Sequence, residues 1–136
     1  MDIAKLATDP KLETEGTWIE FDTDTKFLVR SLRSKPYRES YQREVNSLRR
    51  VTRRPSQDQT EDMLIKCYAE SILVGWKGVT ENGTELPCTI DNRERVLRTC
   101  PTVWDFIVQS VNSHETFHKE ELEEAKAAVG ERSPTS

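Results

Sequence analysis

The chain has 136 residues, 35% hydrophobic and 32% charged, with a net charge of -4. That size supports one domain around one modest core, and the sign of the charge excludes a molecule that is basic overall, as an electrostatic nucleic-acid binder would be. No apolar run approaches the ~20 residues a membrane span needs, and no signal-type apolar region follows Met1.

Residues 1–15 read as a polar lead-in, weakly helical or coil. Thr17-Trp18-Ile19-Glu20-Phe21 has the aromatic and β-branched content of a strand, and Phe27-Leu28-Val29-Arg30 is its expected hairpin mate. The loop Asp22-Thr23-Asp24-Thr25-Lys26 has turn chemistry. It lacks the spacing, the Gly and the terminal Glu of a calcium loop. Pro36 suits the first turn of a helix. From there Tyr37, Tyr41, Val45, Leu48 and Val51 make one apolar stripe, and Pro55 stops the run.

Ser56 and Gln59 fit a capping box that opens the next helix. Its expected buried face holds Met63, Leu64, Cys67, Tyr68, Ser71, Ile72 and Gly75. The stretch Ile72-Leu73-Val74-Gly75-Trp76 is apolar nearly all round, which predicts burial on several sides. Gly78 is the expected C-cap region. Asn82-Gly83 marks a turn, and Thr89 or Asp91 caps a short helix that buries Val96 and Leu97. Cys100-Pro101 ends it. A last helix from Pro101 is expected to bury Val103, Phe106 or Ile107, Ser110 or Val111, His114, Phe117, Leu122 and Ala125, and to end at Gly130. The sum is a mostly α (α+β) domain over 16–128, a small N-terminal β-hairpin followed by about four helices, with a disordered tail at 129–136.

Three constellations carry chemical suggestions. His114-Glu115-Thr116-Phe117-His118 matches the H-E-x-x-H zinc motif. The chain has no third His, and Glu120-Glu121-Leu122-Glu123-Glu124 continues a helix where the longer signature turns back, so a packed histidine is the expectation. Cys67, Cys88 and Cys100 contain no CxxC pair and match no zinc module, which points to free thiols in a reducing compartment. Neither a metal, a cofactor nor a catalytic set is expected, and the chain reads as a non-enzyme. Arg30, Arg33, Lys35, Arg38, Arg43, Arg49, Arg50, Arg53 and Arg54 crowd one segment, while 115–131 is acidic. Pairing between the two, within or between subunits, is expected ahead of nucleic-acid binding.

The order of elements resembles the tail assembly chaperones of long-tailed (siphovirus-like) bacteriophages and prophages. The resemblance runs through Leu12-Glu13-Thr14-Glu15-Gly16-Thr17-Trp18-Ile19-Glu20, Phe27-Leu28-Val29-Arg30, the basic helix, Tyr68-Ala69, and Val74-Gly75-Trp76-Lys77-Gly78-Val79. It continues in Leu86-Pro87-Cys88-Thr89 and Cys100-Pro101, and covers roughly residues 10–120. Cys88 stands where a Tyr is common in that family, and the tail lacks its Lys-Asn ending. The resemblance implies a protein that binds the tape measure protein, keeps it soluble in the cytoplasm of the bacterial host, and is displaced by the major tail protein, so that it is absent from the virion. A self-associating chaperone that offers an apolar groove to a client helix follows the same logic. Trp76, Trp104, Arg49, Arg50 and Arg53 are the expected partner-binding residues, although for each Trp ring a core place is expected ahead of a surface one, because aromatics carry the largest burial term. The alternative is a small nucleic-acid-binding regulator that uses the basic helix 30–54.

Overall fold

The computed structural model describes residues 2, 3 and 7–117. In chain order these form α1 (Pro10–Glu15), β1 (Thr17–Glu20), β2 (Lys26–Val29), α2 (Lys35–Val51) and α3 (Gln57–Cys67). A π-helical turn (Tyr68–Ile72) then leads into β3 (Leu73–Lys77), β4 (Thr80–Glu81), β5 (Thr84–Glu85), α4 (Ile90–Thr99), α5 (Pro101–Asn112) and a 3-10 turn (His114–Phe117). The class is mixed α+β.

The sequence expectation for the hairpin holds in place but is incomplete. β1 and β2 pair antiparallel from Thr17–Val29 to Glu20–Lys26, and β3 adds to β2 as a third antiparallel strand. The stretch expected to continue the helix after Ile72 is therefore strand. Its spacing is deceptive because of a bulge. Leu28 faces Gly75 and Val29 faces Leu73, so Val74 has no partner on β2. The extra residue sends both Leu73 and Trp76 inward, three positions apart, a separation that reads as helical. Gly78 accordingly caps no helix; it makes the turn after β3 at φ 82°.

One face of the sheet builds the core. Phe27, Val29, Leu73 and Trp76 pack with Tyr68, Ala69 and Ile72 of the π turn, Leu97 of α4, and Ile107 and Val111 of α5. Burial of this set supplies the main folding force, roughly 1.5–3 kcal/mol per large side chain before entropy is set against it. The opposite face carries Trp18, 43% exposed, with the Lys77 ammonium 4.7 Å above its ring.

Local signals account for most helix ends. Asp9 caps α1, whose Glu13 and Thr14 carbonyls accept from Ser31 N–H and the Arg30 Nε. The end of the expected polar lead-in is thus tied to the segment that follows β2. Asp22 Oδ1 accepts from Asp24 and Thr25 N–H, closing the β1–β2 loop as an Asx turn. Ser56 and Gln59 form the full capping box, and Thr89, rather than Asp91, caps α4. Asn82 and Gly83 at φ 52° and 81° form the tight β4–β5 turn. Asp62 of α3 bonds Arg98 of α4, which also meets Glu94. Burial pushes the Asp62 carboxyl up, but Arg98 and Lys66 outweigh it and hold it below the usual range.

The long last helix is corrected. α5 stops at Asn112, Ser113 leaves the helix at ψ 124°, and 114–117 form a 3-10 turn. Thr116 Oγ1 donates to Ser110 O and Ser113 N–H turns back to the same oxygen, so the carbonyl that a continuing helix would offer to residue 114 is taken. The α-helical turn that an H-E-x-x-H zinc site needs is absent at 114–117. His118, the expected burial at Leu122, the Gly130 stop and the tail at 129–136 lie outside the described residues.

Candidate functional site

The stripe predicted on α2 is present, but the protein covers only part of it. Tyr37 is half-buried, edge-on to Tyr68 with ring centroids 5.9 Å apart. Further along, Tyr41 is 41% exposed and Val51 75% exposed, while Val45 and Leu48 are half-buried. Among the residues of α2 only Ser40 is fully buried; its hydroxyl donates to Glu70, which also pairs with Arg43. The outer half of a strongly amphipathic helix therefore keeps apolar surface in water, which makes it a candidate docking face.

That surface is a groove of 310 Å³ between α2 and the start of α3. Tyr41, Val45, Leu48, Pro55 and Met63 make its apolar wall, and Arg49 and Arg53 stand in its lining. Two sequence features build it. The 3.6 period carries the apolar side chains to one side of α2, and Pro55 with the Ser56 cap folds α3 back alongside. Arg49, Arg50, Arg53 and Arg54 make no ion pair with any described residue. No described carboxylate lines the groove. The site can take an elongated apolar face, preferably one flanked by negative charge.

The five expected contact residues divide. Arg49 of α2 and Arg53 just past its end come together in the groove, and Arg50 is exposed next to Arg49. Trp76 is a core residue at 7% exposure; its Nε1 donates to Leu86 O at 2.8 Å, so it contributes nothing to this surface. Trp104 is half-buried on α5, where it meets Tyr68 edge-on at 4.8 Å. Through Tyr68 and Tyr37 it joins a chain of rings that ends at Tyr41 on the groove. Sequence reasoning missed Pro55 and Met63 as lining, because they join Tyr41 and Leu48 only after the chain reverses. It also missed Trp18 as an exposed ring; the only available sign was its place on the first, outermost strand.

The ring chain has a titration consequence. Burial is the first cause holding the Tyr68 phenol up at about 12 against its ordinary 10.0. Burial likewise raises Tyr37, with Tyr68 beside it. A phenol with a raised folded-state pKa binds its proton more tightly when folded. The stability this carries is complete below pH 10 and is lost as pH rises toward 12. The urea midpoint is expected to fall across that window, and the Tyr37→Phe/Tyr68→Phe pair to flatten the fall. An equal fall in the double variant would show that other groups carry it.

The remaining surfaces offer less chemistry. Cys67 is buried, and Cys88 and Cys100 are half-buried in the connections before and after α4. Among the described residues no helix is long and apolar enough to cross a membrane. No curated protein and no solved structure matches the chain. One family model does, over residues 31–128, a span that begins just before α2 and contains the whole groove; its description is YdaY prophage protein.

Proposed function

We propose that this chain, which belongs to the YdaY prophage protein family, is a phage tail assembly chaperone that binds the tape measure protein through the α2–α3 groove. In this role it keeps a long helical client soluble until the major tail protein polymerises around it. The observation that carries the reading is the apolar lining of Tyr41, Val45, Leu48 and Met63 beside Arg49 and Arg53, which pair with no described carboxylate. A client helix presenting apolar residues every three or four positions, with acidic neighbours, matches that surface. Membership of a prophage family and the resemblance in element order further support the reading. No part of the role requires catalysis or a cofactor.

Co-expression with the tape measure protein of the same prophage tests it. The client is expected in the soluble fraction, bound to this chain. Tyr41→Ala and Arg49→Glu/Arg53→Glu change exposed side chains, so the fold should persist by circular dichroism. Each is expected to weaken client binding about tenfold or more, the usual size of an anchor's loss. Client that stays insoluble beside the wild-type chain would remove the reading. Binding unchanged in both variants would move it off this groove.

A second reading has one observation in its favour. Arg49, Arg50, Arg53 and Arg54 form a cationic cluster without ion-pair partners among the described residues. Such a cluster can track phosphates, giving a small nucleic-acid-binding regulator. Its affinity would then drop steeply with salt, with a slope set by the number of phosphates contacted. No gel shift at low salt would dispose of it.

A further inference from the structure

We propose that, before client arrives, the groove is filled by the Glu120–Glu124 segment of a second copy of this chain, so that the protein self-associates tail to groove. This deepens the chaperone reading in that it assigns an occupant to the same surface, but its test stands apart from client binding.

The lining states what an occupant must be. Its charged members are Arg49 and Arg53, with Arg50 and Arg54 beside them, and its wall is apolar. The complement is an acidic segment with interspersed apolar residues. The chain carries one in Glu120-Glu121-Leu122-Glu123-Glu124, followed by Ala125, Ala127, Ala128 and Val129. Four glutamates then stand against four arginines. Opposite fields of this kind set partner choice and speed encounter, and they place Leu122 against the apolar wall.

Reach decides between the chain's own tail and another copy's. Phe117 is buried, and its carbonyl accepts from Asp9 N–H. It lines one pocket with Ser31, Leu32 and Arg33, so the chain passes on from there at the N-terminal end of α2. Arg49 lies near the other end of that helix, about 21 Å from Lys35 at ~1.5 Å per residue. Arg53 lies beyond it. Fully extended chain gains ~3.4 Å per residue, so Glu120 reaches about 10 Å from Phe117 and Glu124 about 24 Å. Only the far end of a perfectly straight segment arrives, and a helical one falls well short. The four glutamates cannot cover the arginines of their own chain together. The tail of a second copy meets no such limit. Reciprocal exchange closes into a twofold dimer, whereas one-way exchange continues into an open chain.

Sedimentation velocity and light scattering on the full chain test this. The wild type is expected as a dimer or larger species at low salt and as a monomer at high salt, since exposed pairs are screened. A tail variant, Glu120→Lys/Glu121→Lys/Glu123→Lys/Glu124→Lys, is expected to be monomeric at low salt. So is a groove variant, Arg49→Glu/Arg50→Glu/Arg53→Glu/Arg54→Glu. Mixed, the two variants are expected to associate again, because each presents the charge the other lacks. A wild type that is monomeric at low salt overturns the proposal, as does a tail variant that associates like wild type or a mixture that stays monomeric. Client capture separates the two ideas. Client bound by a monomeric wild type sinks self-association alone, and a salt-sensitive dimer that ignores client sinks the chaperone reading alone.

Discussion

Arg93→Ala is expected to lower the unfolding free energy by about 3 kcal/mol, the loss of several charge-assisted hydrogen bonds from one guanidinium. Arg93 is half-buried on α4, and its donors are spread over a difficult junction. Nη1 donates to Ala69 O at 3.2 Å, Nη2 to Val74 O at 3.3 Å and Cys88 O at 3.1 Å, and Nε to Cys88 Sγ at 3.3 Å. Ala69 sits in the π turn, where Leu73 N–H reaches back to Tyr68 O, and Val74 is the bulge residue without a partner on β2. Both carbonyls stand where regular bonding fails, and Arg93 supplies their missing donor. Removing it leaves acceptors in a part-buried place with nothing in return. Lysine keeps the charge but has no planar fork, so Arg93→Lys is expected to recover less than half of the loss. Urea denaturation measures both. A fall under about 0.5 kcal/mol for the alanine variant, the size of an ordinary surface change, would show that water serves these carbonyls equally well.

The same junction marks where sequence reasoning stopped. The α2 stripe, the Ser56–Gln59 box, the Asn82-Gly83 turn and the Cys100-Pro101 break were all legible, because each is a local rule written in adjacent residues. The start of β3 was not. The bulge at Val74 put the inward Leu73 and Trp76 three positions apart, so a strand presented the spacing of a helix. The role of Arg93 was equally hidden, since its acceptors lie 5 to 24 positions away in sequence. The candidate site divides in the same manner. Tyr41, Val45 and Leu48 followed from the helical period, and Arg49 and Arg53 from charge. Pro55 and Met63 joined them only through the turn into α3. A Trp beside an element boundary carries no sign of the face it takes, which is why Trp76 proved to be core and Trp18 surface.

These particulars bear on function through stiffness. The groove wall on α2 is held from behind by Tyr37 against Tyr68, and Tyr68 belongs to the π turn that Arg93 supports. A groove backed in this way is pre-organised, so an occupant of the kind proposed would not have to order the site first. The exposed rim arginines contribute little to folding, as is usual for solvated charges. Stability and the proposed client binding should therefore respond to different substitutions: Arg93 to the first, Arg49 and Arg53 to the second.

Gly78→Ala is expected to cost about 3 kcal/mol or more, and Gly83→Ala only about 1 kcal/mol, the penalty a non-glycine residue meets in the left-handed region. The two glycines have nearly the same φ, 82° and 81°, so that penalty is common to both. They differ in what surrounds them. A methyl group at Gly83 meets nothing within 4 Å, whereas one at Gly78 would lie 1.8 Å from Asp24 O and 2.8 Å from Asp24 C. The obstacle is backbone, and it is not free to yield. Asp22 Oδ1 holds Asp24 and Thr25 N–H at 2.9 and 2.8 Å, and Phe21 N–H is bonded to Thr25 O. Relieving the clash means breaking the β1–β2 loop or drawing β3 away from β2, and Lys77, the last paired residue of β3, is next to Gly78. The difference between the two variants thus isolates the close approach of two loops from backbone conformation alone. Thermal and urea unfolding of the pair should separate by about 2 kcal/mol, the part of the cost that the left-handed penalty leaves over. Equal losses would mean that the loop at Asp24 stands off from Gly78 in solution, and that the turn after β3 is held by its φ angle only.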